Sequence, residues 1–459
     1  MRRVLFGLFL SLFPGAAQAE WMEASSTHFV VYADDTEKNL RGFSERLERY
    51  HAALSVVTGV QLTDPSPSNR VTVYVVDDVE AVQKLHRGGS DQVAGFYAPG
   101  AGGSLAIVPK VRSGDKQLAF SMSILLHEYT HHFMHSASSF PMPRWYSEGS
   151  AEYFSSAEFT ADGGVVVGRP ATHRAPELLW GKEVTAADLL DPAEYAKRKS
   201  KEGDAFYGKA WLLRHYLQNE PERKGQLQRY FENLASGQGA REAAQGAFGD
   251  FKALDRELDR YLESKKMLTL KLSGAAVAFK PVMIRALRPG EAAIMPQRMR
   301  SKVGVDEALA KQVVEEARAI AARFPGDPAV LSALAEAEFD AGNDEAAIAA
   351  ADAALAADPA TVNAYVQKGY ALYRMAEKGT DKEGYQKGRK AFVALDRREN
   401  DHPLPLVYFY RAYARQGLPV PPIALQGLER AVEVAPFDRS IRMTLALQQL
   451  RSGAPAKAR

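Results

Sequence analysis

The pentapeptide His127-Glu128-Tyr129-Thr130-His131 constrains this chain more than any other stretch. It lies in a run from about Gln117 to His135. There Leu118, Phe120, Ile124, Leu125, Leu126, Phe133 and Met134 occupy most of the circumference of a helix. A helix apolar all round is a buried helix, and polar groups on it are costly unless partnered. Residues i and i+4 share one helix face, so His127 and His131 can reach one metal ion. A second helix, predicted from Trp145 to Ser155, carries Glu148 as a third ligand. Three protein ligands with a position left for water is the arrangement of catalytic rather than structural zinc. Histidines and a glutamate suit zinc, though another divalent ion stays open.

Met1 to Ala19 predicts a secretory signal peptide: Arg2 and Arg3, the apolar run Val4 to Phe13, then Ala17-Gln18-Ala19. No other segment is long and apolar enough to span a membrane, so no stable membrane insertion is expected. The formal charge of +2 falls to 0 once Arg2 and Arg3 are removed. A neutral chain gives no argument for nucleic acid. The sequence has no cysteine, so any metal site must use His and carboxylates. The expected location is the periplasm or cell envelope of a bacterium, after export across the inner membrane.

The 459 residues allow two or three domains. Thr27 to Ala33 and Val71 to Val76 predict strands, and Thr36 to Thr58 a helix with Leu40, Phe43, Leu47, Tyr50 and Leu54 on one face. Val79 to His86 predicts a short helix before Gly88-Gly89, and Phe96-Tyr97 and Ser104 to Val108 two further strands. Thr185 to about Lys265 is mostly helical. Residues 266–305, broken by Pro281, Pro289 and Pro296, predict a connector with some strand. From Asp306 the chain turns to Ala-rich helices, with Pro328, Pro359, Pro403 and Pro436 near the turns. This pattern resembles tetratricopeptide repeats, about three units with small residues where helices touch.

His127-Glu-x-x-His131 followed by Trp145-x-x-Glu148-Gly149-x-Ala151-x-Tyr153 resembles the gluzincin metallopeptidases, most closely the aminopeptidase-like branch. The resemblance covers residues 25 to 265. It implies a zincin-like α+β domain, with a strand-rich lobe whose edge strand, here Ser104 to Val108, lines a cleft, and a helical lobe carrying Glu148. It implies one zinc ion per chain on His127, His131 and Glu148, with Glu128 as general base on the bound water. In the segment Tyr207-Gly208-Lys209-Ala210 it implies Tyr207 as donor to the oxyanion. Glu152 stands where such proteins keep an acid that holds the first histidine by its other ring nitrogen. No acid stands near Gly102-Gly103-Ser104-Leu105 to bind a free amine, so endopeptidase and aminopeptidase action both stay open. His132 and His135 are not expected as ligands, and His215 is left without a fixed place.

The expected organisation is therefore a signal peptide over 1–19, a gluzincin-like metallopeptidase domain over 20–265, a connector over 266–305 and a tetratricopeptide-like domain over 306–456. The leading expectation is an exported zinc peptidase acting on a peptide or protein substrate, its repeats binding a protein partner. The alternative is a repeat scaffold or chaperone-like protein of the cell envelope with little or no catalysis.

Overall fold

The computed structural model describes residues 20–86, 93–110, 116–138, 142–264, 267–381 and 383–454. The expected signal peptide lies outside these residues. The chain opens with strands β1 (Glu20–Ser25) and β2 (Phe29–Asp35), helix α1 (Glu37–Thr58), strand β3 (Val71–Val76) and helix α2 (Val79–Leu85). Strands β4 (Phe96–Ala98) and β5 (Leu105–Pro109) precede helices α3 (Lys116–Ala137) and α4 (Arg144–Ser155).

These strands and a later one, β9, form a six-stranded sheet in the order β4-β5-β3-β2-β1-β9. Strands β2, β3 and β5 run parallel, and the outer pairings are antiparallel. Successive residues of a strand face opposite sides, and here both sides are covered. Phe29, Val31, Val73, Val75, Ala106 and Val108 join the core with α1 and α3. Val30, Tyr32, Tyr74, Val76, Leu105 and Ile107 face a second cluster. That explains why β3 reads as an unbroken apolar run, Val-Thr-Val-Tyr-Val-Val, rather than an alternating one. The resemblance placed Ser104 to Val108 at the sheet edge. The structure corrects this: β5 lies inside the sheet, and β4 takes the edge.

Strands β6 (Glu158–Phe159) and β7 (Val165–Val167) lead to helices α5 (Ala175–Trp180), α6 (Ala186–Leu190), α7 (Pro192–Ala196) and α8 (Phe206–Asn219). Helices α9 (Gln226–Ala235), α10 (Ala240–Phe248) and α11 (Phe251–Glu263) follow. Residues 266–305 then hold β8 (Leu270–Leu272), β9 (Met283–Ala286) and α12 (Pro289–Val303). The first pairs with β7 and the second with β1. Met295 and Met299 of α12 close the second face of the large sheet. Pro289 starts that helix, where a missing N–H costs nothing.

Eight further helices complete the chain: α13 (Glu307–Arg323), α14 (Pro328–Asp340), α15 (Asp344–Ala357), α16 (Val362–Glu377), α17 (Gly384–Asp396), α18 (Pro403–Ala414), α19 (Pro422–Val434) and α20 (Arg439–Arg451). Each packs on the next, which is the helical-repeat arrangement. Small side chains set the crossings: Ala335, Ala350, Ala351, Ala354 and Ala364 form one buried cluster. The array returns to the sheet at its far end. Glu399 accepts hydrogen bonds from Ser68 N and Oγ, both at 2.8 Å, and Asp438 accepts one from Ala101 N at 2.9 Å. No helix among the described residues is long and apolar enough to cross a membrane.

Candidate metal centre

Helix α3 is fixed before it meets any ligand. Leu125, Leu126, Tyr129 and Phe133 are buried against the sheet and α1. The Tyr50 hydroxyl lies 2.6 Å from Thr130 Oγ1 and 3.1 Å from the Leu126 carbonyl, pinning the helix from behind. That leaves His127 and His131 on the side facing α4. Helix α4 is pressed on α8 at Gly149, where a Cβ would come within 2.4 Å of the Ala210 carbonyl oxygen. Only glycine allows this approach, and it places Glu148 opposite the two imidazoles.

The three side chains converge. Glu148 Oε2 lies 3.5 Å from His127 Nε2 and 3.3 Å from His131 Nε2, and the two Nε2 atoms are 3.1 Å apart. Among the described residues, His127, His131 and Glu148 are the group whose ligand atoms lie within 4.8 Å of one another. The other ring nitrogens are taken: His127 Nδ1 faces Glu152 Oε1 at 3.2 Å, and His131 Nδ1 faces Ser147 Oγ at 3.0 Å. With each Nδ1–H donating outwards, both Nε2 atoms turn lone pairs towards each other and towards a carboxylate. That contact needs a positive charge between them, either a ring proton or a metal ion. The donor set therefore fits a divalent ion such as zinc.

The electrostatics agree. Burial works against charge on His127, but Glu148 and Glu152 outweigh it and raise the ring to about 9. Burial likewise opposes ionisation of Glu148, yet hydrogen bonds from His127 and His131 bring it down to about 2. This is a place where positive charge is held.

Glu152 is fully buried one helical turn beyond Glu148. Besides His127 it meets His173 Nε2 at 2.7 Å and accepts from Arg174 Nε at 2.9 Å and a terminal nitrogen of Arg174 at 2.6 Å. Burial opposes its charge, and His127, His173 and Arg174 together hold the carboxyl far below the usual range. Ser147, His173 and Arg174 were not anticipated. The last two arrive on a turn after β7 that only the folded chain brings back.

Glu128 is half-buried and makes no hydrogen bond or ion pair among the described residues. Tyr207 sits in the first turn of α8 under two guanidinium groups, Arg174 at 4.8 Å and Arg144 at 5.6 Å from its ring centre. Burial opposes charge on Arg144, and the Tyr207 and Tyr195 side chains beside it outweigh this and raise its pKa above the ordinary arginine value. His132 is bonded to the Tyr97 hydroxyl at 2.7 Å and packs on Phe437. His135 stacks 6.2 Å from the His131 ring and is outside the ligand group. His215 is buried, bonded to the Gly168 carbonyl and the Tyr261 hydroxyl.

No family model matches the sequence, and no curated protein matches it. Solved structures do match. The crystal structure of MamA is similar at 15% identity and a TM-score of 0.29, covering 38% of this chain and 90% of that chain. A MamA chain running from residue 41 to the end, from Desulfovibrio magneticus RS-1, matches at 15% identity and 0.29, covering 38% and 91%. A TM-score of 0.29 is too low to carry function across.

The expected membership of the gluzincin metallopeptidases is corrected on these findings, and the zinc-peptidase reading of the chain with it. No family model matches the sequence, a peptidase's included. The physical reason lies in what the motif encodes. Imidazoles at i and i+4 with a carboxylate from a second helix specify ligation; they do not specify what the metal does. Of what the resemblance added on its own, the edge strand at Ser104 to Val108 is not what the structure holds.

Proposed function

We propose that this chain is a helical-repeat scaffold of the bacterial cell envelope, whose repeats hold a protein partner and whose α+β part carries one zinc ion as a brace. The ion would be held by His127, His131 and Glu148, with Glu152 and Ser147 fixing the two rings. When bound, it supplies a rigid link between side chains of two helices. The observation that carries the reading is that α3 bears two of the three ligands and also the anchor of the repeat array. The loop before α20 packs Phe437 on His132, 4.4 Å between ring centres. Arg442 of α20 donates to the Ser138 carbonyl at 2.6 Å and the His135 carbonyl at 3.3 Å, closing the end of α3. Orphan carbonyls at a helix C-terminus favour such a cation. Linking α3 to α4 therefore steadies the platform on which the repeats rest.

The test is removal of the metal. A chelator is expected to lower Tm and to speed proteolysis in the 397–402 and 435–438 loops. Unchanged melting and cleavage would overturn the brace. Hydrolysis of unfolded casein by the wild type and not by Glu128→Gln would overturn the scaffold.

A further inference from the structure

Among the described residues, helix α20 has one apolar face uncovered. Its inner side is committed: Ile441 is buried, Leu445 joins the last apolar cluster, and Gln448 accepts from the Tyr410 hydroxyl. On the outer side Met443, Leu447 and Leu450 are 60%, 45% and 53% exposed. At about 100° per residue these three fall within roughly 60° of one another. Repeat helices are stable by stacking on neighbours, and this is the side on which the next helix would stack.

Charge says what kind of helix it takes. Arg439, Met443, Leu447 and Arg451 follow one another at intervals of four, so the apolar stripe has an exposed arginine at each end. Neither arginine makes an ion pair among the described residues. Helix α20, Arg-Ser-Ile-Arg-Met-Thr-Leu-Ala-Leu-Gln-Gln-Leu-Arg, contains no acid. The two arginines are about 18 Å apart along the axis. A second copy of α20 laid antiparallel would set arginine against arginine, which is repulsive.

We infer that α20 is a docking surface for an acidic amphipathic helix of a partner protein, with an apolar stripe and carboxylates about three turns apart. Apolar contact on Met443, Leu447 and Leu450 gives the binding, and the two arginines give polarity and register. The inference rests on the scaffold reading and names its partner's chemistry.

The test uses residues 20–459 and two labelled 18-residue helical peptides. Both carry leucines at i, i+4 and i+7, one with glutamates at both ends and the other with lysines. Fluorescence anisotropy is expected to show the acidic peptide bound about 10-fold tighter, from two exposed ion pairs. Arg439→Glu with Arg451→Glu is expected to reverse the order, which a merely damaged fold would not do. Met443→Ser with Leu447→Ser is expected to abolish binding of the acidic peptide. Equal binding of both peptides, or an order untouched by the charge reversal, would overturn the inference. So would a dimer in sedimentation that Leu447→Ser dissolves, which would make the occupant a second copy. Metal content is expected to be unchanged in these variants, so a failure of the peptide test with metal still bound would count against this inference and leave the metal brace standing.

Discussion

Glu152 is a carboxylate with no access to solvent, and four hydrogen-bonding contacts hold it there: one to His127, one to His173 and two to Arg174. Such an acid sets a ligand's ring orientation and basicity. Glu152→Gln keeps the shape and removes the charge, and metal affinity is expected to fall about 10- to 100-fold. Competition against a fluorescent chelator measures this, and an unchanged affinity would deny Glu152 its part. A second residue gives a pH signature. Burial, and then the neighbouring His28, pulls the His51 ring down to about 3. Unfolded, it titrates near 6.5. The folded-state pKa is depressed, so the stability it lends is present above pH 6.5 and is lost as pH falls towards 3. The slope reaches at most about 1.4 kcal/mol per pH unit. Tm is expected to drop between pH 6.5 and 4, and less steeply in His51→Asn; equal slopes would count against it. The convergence of His127, His131 and Glu148 was legible because their spacing is local: two within one helix, and Glu148 and Glu152 one turn apart on the next. His173 and Arg174 were not, because a turn after β7 carries them back and no local pattern marks it.

Among the elements, the crossing of α4 and α8 is the tightest constraint on the centre. A methyl group on Gly149 has no room against Ala210, so Gly149→Ala is expected to cost about 1–3 kcal/mol by overpacking. Thermal melting reads it, and wild-type stability would show that the helices can part freely. The main strands and helices of the first half were readable from period-2 and period-3.6 patterns. Several elements were not, β1, β9 and α12 among them. β1 follows the apolar leader and has no pattern of its own. β9 is four residues long and mostly exposed. α12 contains Pro296, which reads as a break, yet the helix continues because Met295 and Met299 gain burial on the sheet. A chain cut to 20–265 therefore loses β8, β9 and α12. It is expected to bind a hydrophobic dye and melt without cooperativity, while 20–305 recovers a cooperative melt. A well-folded 20–265 would mean that the sheet's second face needs no cover.

Across the whole molecule, the helical array meets the α+β part twice, through α12 on the sheet and through the loops at Glu399, Phe437 and Asp438. The repeat pattern was legible from the prolines and alanines, but the return was not: it depends on single polar contacts such as Ser68 with Glu399, 331 positions apart. It brings the end of the array onto α3, next to His131, which is the contact the proposed metal brace relies on. The most direct test of that claim is the metal content of residues 20–459, purified beside His131→Ala and measured by elemental mass spectrometry. About one divalent ion per wild-type chain and none in the variant is the expected result. A wild-type chain with no metal, or a variant that keeps it, would contradict the account.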